Sequence, residues 1–305
     1  MNNKLYEEDE INITEILRNI HTHKYLILAT TLSFVIASLI YSMLIENIYT
    51  SKTILASTSN DQGLSSKISG YSALAGIAGI NMPAESASKT EEAIERIKSF
   101  KFFSNYFLPN VKLENIMAVK KWDIKNNILI YDDKIYESNT DKWVRKVSPP
   151  KKNVPSEQEA YALFMQALSI IQNKENSFVT ISISHKSPHI AKSWLELIVY
   201  NINESMRQED IEFSKTSIAF LNEAQKSENI QSVRDVVSNL LEAQMQTLML
   251  ASSNSAYVFK TLDAPLVPEE KSSPNRFFII IFGLFIGLFS SLLAVIIKNF
   301  RVSDN

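Results

Sequence analysis

The sequence predicts an α+β membrane protein in which two transmembrane helices flank a body with an α/β base domain and one long extended helix. Two uncharged stretches of 21 residues, 25–45 and 277–297, lie close to the ends of the 305-residue chain. Between them, a helical pattern is followed by an alternating strand pattern, which favours a mixed base over a helix bundle. A run from residue 189 to 264 contains neither proline nor glycine, which favours an unusually long helix.

Each apolar stretch is long enough, as a helix, to cross a hydrocarbon core of about 30 Å. A cleavable signal peptide does not account for the first stretch, because 24 residues precede it and no small-residue cleavage site follows it. Basic residues near the two spans are equally numerous on the terminal side and on the loop side: Arg18, Lys24, Lys298 and Arg301 against Lys52, Lys260, Lys271 and Arg276. The first span alone favours a cytoplasmic N-terminus. We therefore predict two spans, with segments 1–24 and 298–305 in the cytoplasm.

The body between the spans, residues 46–276, has a composition that suits an exported domain. The chain contains no cysteine, which excludes disulfides, thiolate metal sites and cysteine nucleophiles. The body carries 26 Lys and Arg against 27 Asp and Glu, so its surface lacks the positive field expected of a nucleic-acid-binding protein.

The first part of the body, residues 46–187, is predicted to be mostly the base domain. Residues 49–57 are rich in Thr, Ile and Tyr and predict a strand. The Gly- and Ala-rich residues 59–89 predict a mobile loop, or a loop that packs on a neighbouring subunit or on the membrane surface. Their glycines lack the Lys-Ser/Thr of a phosphate-binding loop. Residues 90–107 predict an amphipathic helix with Thr90 as its N-cap.

The second part of the base domain is predicted to pair a helix with a strand. Ser156 and Glu159 form a capping box, and the apolar positions after it continue a buried helical face as far as Ile171. Residues 178–184 alternate between apolar and hydroxyl side chains, which predicts a half-buried strand.

A long helical extension is predicted for residues 188–250, starting at Pro188 in the first helical position. A polar break at 227–232 lets a second helix, 233–250, turn back or continue at an angle. The first half of the long helix carries one narrow apolar stripe: Trp194, Ile198, Ile202 and Met206. Such a stripe needs a partner, which is either another copy of the chain or an intrachain helical hairpin. These four residues are therefore our candidates for an oligomer interface.

The chain returns to the membrane through a strand and a stiff linker in residues 251–276. Residues 257–262 alternate as a strand, which we expect to pair with residues 49–57. Three prolines stiffen the linker: Pro265, Pro268 and Pro274. Two glycines four residues apart in the second span permit close helix approach: Gly283 and Gly287.

The segment 264–276, Ala-Pro-Leu-Val-Pro-Glu-Glu-Lys-Ser-Ser-Pro-Asn-Arg, runs directly into a glycine-containing span. It resembles the corresponding element of the Wzz chain-length determinants, also called polysaccharide co-polymerases. Residues 9–17, the first span and Tyr49-Thr50 look like the opening of the same family, and the segment 185–189 and the long helix add support. The resemblance implies an inner-membrane protein whose periplasmic base and long helix assemble into a closed ring of identical copies. Such a ring sets the modal length of O-antigen, or of a related surface polysaccharide, made by a membrane polymerase.

We find no candidate catalytic, cofactor or metal site in the sequence. The four histidines form two pairs that we predict on opposite sides of the membrane: His21 and His23, then His185 and His189. Trp122 and Trp143 could contact sugar rings, or could simply be packed or exposed. The chain ends eight residues after the second span, so it resembles the class without a kinase domain.

The resemblance therefore implies a non-catalytic oligomeric scaffold that acts on a polysaccharide polymerase and its lipid-linked glycan. Two other classes remain open at this point. An export or kinase-activating adaptor would use the short terminal segments to contact a separate kinase, and a membrane-anchored receptor would need a convergent polar site in the body.

Overall fold

The computed structural model describes residues 21–58, 88–227 and 231–303, which divide into two compact units. One unit comes from the terminal ranges Met1–Asn47 and Ser272–Asn305, and the other is Ile48–Lys271. The main helices are α1 (Lys24–Leu44), α2 (Lys89–Lys98), α3 (Leu113–Met117), α4 (Glu157–Ala167), α5 (Pro188–Ser227), α6 (Gln231–Ser253) and α7 (Arg276–Ser303). Short helical segments follow α2 at Phe100–Phe102, Phe103–Phe107 and Leu108–Asn110. The strands are β1 (Tyr49–Ser57), β2 (Val119–Asp123), β3 (Ile128–Tyr131), β4 (Tyr136–Glu137), β5 (Lys142–Trp143), β6 (Leu168–Gln172), β7 (Val179–His185) and β8 (Phe259–Asp263).

The terminal unit is a pair of apolar helices, α1 and α7. Among the residues that the structure describes, two helical stretches are long and apolar enough to cross a membrane: Lys24–Leu44 and Arg276–Ile297. These bounds lie within one residue of the two stretches recognised in the sequence. The helix of the second stretch continues to Ser303, beyond its apolar part. The predicted fold class, an α+β protein with apolar helices on either side of a mixed body and a long helix, is confirmed.

The base of the body is a four-stranded antiparallel sheet with the strand order β6-β7-β1-β8. Tyr49 at the start of β1 lies opposite His185, and Leu55 lies opposite Val179. On the other side of β1, Leu55 lies opposite Thr261 of β8, so the expected pairing of the strand that leaves the membrane with the strand that returns is confirmed. β7 alternates between buried and half-buried side chains along its whole length, as predicted.

Three local predictions in the base domain were wrong. The helix that starts at Ser156 ends at Ala167, and Leu168–Gln172 forms the edge strand β6, because Ile170 pairs with Ile181 of β7. Ile171 is therefore exposed and does not continue a helical face. A short run with two β-branched residues fits a helix and a strand equally well until a neighbouring strand is available.

The N-cap of α2 is Ser88 rather than Thr90. The Ser88 hydroxyl accepts a hydrogen bond from the Glu91 N–H at 3.2 Å, and the Glu91 carboxylate accepts one from the Ser88 N–H at 3.3 Å. Thr90 is buried, and its hydroxyl donates to Ser57 Oγ at 2.8 Å. The predicted single helix over 90–107 is interrupted at Ser99, whose extended backbone ends α2 and whose hydroxyl caps the short helical segment that follows.

The first half of α5 packs against the sheet and covers the hydrophobic core. Its apolar stripe packs together with an aromatic cluster that connects α4 to the helical segments after α2: Phe102, Phe103, Phe107 and Phe164. Phe107 also contacts Trp194, with ring centroids 5.5 Å apart. The body therefore has one continuous hydrophobic core, which lies between the sheet and the helices.

Helices α5 and α6 form an antiparallel hairpin. At 40 residues, α5 is about 60 Å long. Hydrogen bonds connect it to α6 in reversed order, among them those from Arg207 to the Ala251 carbonyl, from Ser214 to Gln244 and from Gln225 to Ser238. Of the two geometries that the sequence left open for the second helix, the structure adopts the one that turns back.

Candidate functional site

The apolar helices α1 and α7 are called the first and the second stem below. The two glycines of the second stem lie against the first stem of the same chain. A Cβ atom placed on Gly283 would be 2.5 Å from both Cβ and Oγ of Ser38. A Cβ atom on Gly287 would be 2.8 Å from Cβ of Phe34 and 3.1 Å from Cα of Thr31. All of these distances are shorter than an ordinary carbon–carbon contact of 3.5–4.0 Å. The glycines therefore let α1 and α7 approach at backbone distance.

Other small side chains continue this seam between the two stems. Ser42 of α1 and Ser291 of α7 are both buried. The Ser291 hydroxyl donates back to the Leu288 carbonyl at 2.8 Å, as polar side chains in apolar helices commonly do. A row of large side chains on α7 lies away from the seam and is exposed: Phe278, Phe282, Phe285 and Phe289.

The start of the proline linker is attached to β1 by buried hydroxyl groups. Ser51 Oγ donates to the Leu266 carbonyl at 2.8 Å, and Thr53 Oγ1 donates to the Asp263 carbonyl at 2.6 Å. Pro265 is buried between these two contacts along the chain, while Pro268 and Pro274 are half-buried. The linker is thus fixed both by backbone restriction and by side-chain contacts.

The four oligomer-interface candidates lie in the core of their own chain. Trp194, Ile198, Ile202 and Met206 all pack against the sheet and the aromatic cluster, and each is at most 6% exposed. Their assignment to an interface between copies is therefore corrected. An apolar stripe shows that a helix face is covered, but the covering partner here is the sheet of the same chain.

The exposed apolar side chains of the hairpin lie further along it, where the sequence pattern was less regular. Phe213 and Phe220 are seven residues apart on α5, so they share one side of the helix. Met245 and Met249 form a similar exposed pair on α6. The seam between the helices is instead formed by buried residues that include Ser214 and Val237. By helical spacing Phe213 and Phe220 fall on the same side of α5 as Ile202 and Met206, so the sequence pattern indicated that they continue the buried stripe and gave no signal of their exposure.

A polar cluster connects α2, α5 and the segment before β8. Lys89 Nζ donates to Asp210 Oδ2 at 2.7 Å and to the Tyr257 hydroxyl at 2.8 Å, and the Tyr257 hydroxyl donates to Asp210. Burial opposes the charge on Lys89, but the hydrogen bonds to Asp210 and Tyr257 outweigh it and raise the pKa of Lys89. Thr58 N–H also donates to the Val258 carbonyl at 2.9 Å. The Gly- and Ala-rich segment lies, apart from residues 88 and 89, outside the described residues.

The histidines and tryptophans of the body have structural partners. Burial lowers the pKa of His185, whose Nδ1 accepts from the Ser187 N–H at 2.9 Å while Nε2 lies 3.0 Å from the Asn115 carbonyl. The ring of Trp122 contacts Tyr49, and Trp143 contacts Tyr136. Within the described ranges, no group of three or more His, Cys, Asp or Glu side chains could hold a metal ion.

Comparison with known proteins connects the N-terminal part of the chain to one family. Residues 9–107 match the family model described as "Wzz: Chain length determinant protein". The match covers about a third of the chain and confirms the resemblance recognised in the opening residues. The proline-rich segment 264–276 lies outside it. No curated protein matches the sequence.

Two solved structures share a loose likeness with the whole chain. The structure titled "full-length bacterial polysaccharide co-polymerase" is 13% identical, with a TM-score of 0.43, and the alignment covers 96% of this chain and 99% of that one. A fragment of WzzB, the polysaccharide co-polymerase from Salmonella Typhimurium, is 15% identical with a TM-score of 0.29, over 74% of this chain and all of the fragment.

Proposed function

We propose that this protein regulates the chain length of a surface polysaccharide, such as O-antigen, as a non-catalytic scaffold. The observation that carries the proposal is the match of residues 9–107 to the chain-length determinant family. Two apolar helices of membrane-spanning length and an extended helical hairpin suit a protein that acts beside a membrane polymerase and its lipid-linked glycan. We place it in the bacterial inner membrane, with both termini in the cytoplasm and the body in the periplasm.

The polysaccharide ladder of a deletion strain tests this function. A chain-length regulator imposes a preferred length, so deletion is expected to replace a modal cluster of bands by a distribution without a mode. Complementation with the full chain should restore the mode. An unchanged ladder would contradict the proposal. Loss of surface polysaccharide together with loss of phosphorylation of a separate kinase would favour the export adaptor instead.

We also propose that copies of the chain associate through the part of the α5–α6 hairpin that contains Phe213, Phe220, Met245 and Met249. Phe213 and Phe220 are 63% and 72% exposed, and Met245 and Met249 add apolar surface on the other helix. Exposing these four apolar side chains to water does not stabilise the hairpin, and a second copy of the chain is the simplest partner that could cover them. The proposal moves the interface away from the buried stripe and out along α5 and α6.

The double variant Phe213→Glu/Phe220→Glu tests the interface. Burying one phenylalanine contributes about 2–3 kcal/mol, so removing two should weaken association about a thousandfold or more. Size-exclusion chromatography with light scattering of the full chain in detergent reports the oligomeric state. Ile171→Glu is the matched control, because Ile171 is equally exposed but lies on the sheet. The same oligomer in both variants would exclude this surface.

The linker prolines and the stem glycines are proposed to support length control indirectly. Restricted linker backbones and closely paired stems would present a defined membrane surface to the polymerase. Five single variants test this part, each scored by its ladder: Pro265→Ala, Pro268→Ala, Pro274→Ala, Gly283→Leu and Gly287→Leu. An unaltered mode in all five would remove these residues from the proposal.

A further inference from the structure

A groove on the body, called the α4 groove below, lies between the first two turns of α4 and the chain segment 150–155. It has a volume of about 880 Å³, and its lining is mostly apolar: Met117, Pro150, Val154, Pro155, Ala162 and Leu163. Val154 is 57% exposed, so the groove is open to an external molecule. A cleft of this size and lining is a usual place for a partner to bind.

Arg145 holds the two walls of the α4 groove together. Its guanidinium donates to the carbonyls of Lys152 and Asn153, at 2.6 and 2.8 Å, in the segment that forms one wall. It also donates to both carboxylate oxygens of Glu159 on α4, at 2.7 and 2.8 Å. The groove is therefore already formed in the free chain, and a partner that enters it does not have to order its walls.

The rim of the α4 groove is basic. Lys151 and Lys152 line the groove and are exposed. The carboxylate in the lining, Glu159, already forms the ion pair described above, and Lys151 Nζ lies 3.8 Å from it. The neighbouring carboxylate of Glu157 accepts a hydrogen bond from a serine hydroxyl at 2.6 Å. Residues 145–159 contain four basic and two acidic side chains, a net charge of +2, so the groove suits a partner that combines apolar and acidic side chains.

An exposed segment of the same chain, residues 266–270, has this combination and is called the acidic segment below. Leu266 is 69% exposed, and Glu269 and Glu270 are exposed three and four residues later. Even with Lys271, which follows them, the net charge is −1. The prolines at 265 and 268 restrict the backbone of this segment, so binding costs it little conformational entropy.

The α4 groove and the acidic segment lie at opposite edges of the sheet. Helix α4 packs on β6 and β7 and runs directly into β6, whereas the acidic segment follows β8. Leu168 of β6, Ile183 and Ser51 form one cross-strand row, and Ser51 Oγ donates to the Leu266 carbonyl. The segment is therefore attached at the level of the sheet where α4 joins β6. Complementary surfaces on opposite edges allow one copy to contact the next head to tail.

We propose that the acidic segment of one copy binds in the α4 groove of a second copy, with Leu266 between the groove walls and the two glutamates beside the groove lysines. Three positions separate the apolar anchor from the first charge on each side, Leu266 from Glu269 and Val154 from Lys151, which is at most about 11 Å in an extended chain. The proposal rests on the proposed association of copies and adds a contact between their base domains. Because the two surfaces differ, the contact repeats from copy to copy.

Cysteine crosslinking in the full chain tests this contact, and the absence of natural cysteine makes the reaction selective. Full-length chains with Leu266→Cys and with Val154→Cys carry different tags, are co-expressed, and are treated in mild detergent with a short bismaleimide crosslinker. Ile171→Cys replaces Val154→Cys in the matched control, because Ile171 is 64% exposed on β6, at the same edge of the sheet but outside the groove. Light scattering of the same sample reports separately whether the copies associate.

The contact predicts a crosslinked dimer that carries both tags, with a yield about tenfold above that of the control pair. Lys151→Glu/Lys152→Glu in the groove copy should lower the yield about tenfold, because attraction becomes repulsion between like charges. Glu269→Lys/Glu270→Lys in the other copy should then restore it.

Two results would overturn the contact. A yield equal to that of the control pair, in a sample whose copies associate, would exclude the α4 groove while leaving the proposed function and the association of copies intact. Failure of the second charge reversal to restore a yield lowered by the first would exclude the pairing of the glutamates with the lysines. A monomer in light scattering would instead contradict the association of copies itself, and this contact with it.

Discussion

Alanine substitutions at the two stem glycines should have different consequences, because the atoms that they meet differ. An added Cβ at Gly283 meets the Ser38 side chain at 2.5 Å, while the next neighbour, the Phe34 carbonyl oxygen, is at 3.4 Å. An added Cβ at Gly287 meets the Phe34 Cβ at 2.8 Å and also the Thr31 backbone, at 3.1 and 3.2 Å. A side-chain deletion can therefore relieve the first clash but not the second.

The expected penalty follows from these distances. To restore a normal contact of 3.5–4.0 Å, the helices must separate by about 1 Å at either position. Overpacking of this kind typically costs about 1–3 kcal/mol, and the better helix propensity of alanine offsets up to about 1 kcal/mol of it. We expect each single variant to weaken the α1–α7 pair by about 1–2 kcal/mol. Adding Ser38→Gly should recover most of that loss for Gly283→Ala.

A double-mutant cycle measures this coupling. Dyes on cysteines introduced at the exposed positions Leu28 and Leu293 report stem separation by energy transfer as SDS is added to the full chain in mild detergent. Ser38→Gly alone sets the background of the cycle. We expect a coupling of at least about 1 kcal/mol between residues 38 and 283 and nearly none between 38 and 287. Equal rescue at both glycines, or rescue at neither, would show that the stems do not pack as described.

Two further predictions concern the body. The hydrogen bonds from Arg145 lower the pKa of Glu159 to about 2, so this pair stabilises the fold fully above pH 4.5 and progressively less as the pH falls towards 2. Glu159→Gln should therefore lower Tm at pH 7 and make Tm less dependent on pH between 4.5 and 2. A variant whose Tm falls with pH as steeply as that of the wild type would contradict the assignment. The buried Asn203 side chain accepts hydrogen bonds from the Val258 and Phe259 N–H groups, both at 2.8 Å, and donates one to the Phe259 carbonyl at 3.0 Å. Asn203→Leu strands both backbone donors and should cost about 2–4 kcal/mol in denaturant unfolding. Asn203→Asp should also destabilise the fold at pH 7, because a buried carboxylate oxygen would face the Phe259 carbonyl, so wild-type stability in either variant would contradict these contacts.

The elements that the sequence predicts well are those with a long or strictly alternating pattern. The two spans follow from 21 uncharged residues each, and β7 follows from the alternation of Val179, Ile181 and Ile183. In each case one environment determines the pattern: a bilayer requires a long uncharged stretch, and a half-buried sheet face requires an apolar residue at every second position. The pairing of β1 with β8 was predictable because both strands adjoin the membrane segments.

The remaining features depend on contacts that are distant in sequence. The stripe that contains Trp194 and Ile202 requires a cover, but periodicity does not identify whether the cover is the chain's own sheet or another copy. The segment Leu168–Gln172 becomes a strand only because β7 offers an open edge. In α7 the glycine spacing predicts close helix approach, but only the folded chain identifies Ser38 and Phe34 of α1 as the groups that the glycines meet.

The pairing of β1 with β8 determines how mechanical load would enter the base domain. The N-terminal end of β1 and the C-terminal end of β8 lie at the same side of the sheet, and each continues towards one of the stems. Pulling the stems apart would therefore peel the two strands from that end, one hydrogen bond at a time, rather than shear them together. The first bonds to carry the force are those of Ser51 with Leu266 and of Thr53 with Asp263. These two side-chain hydrogen bonds would therefore carry such a force before the backbone ladder between β1 and β8 does.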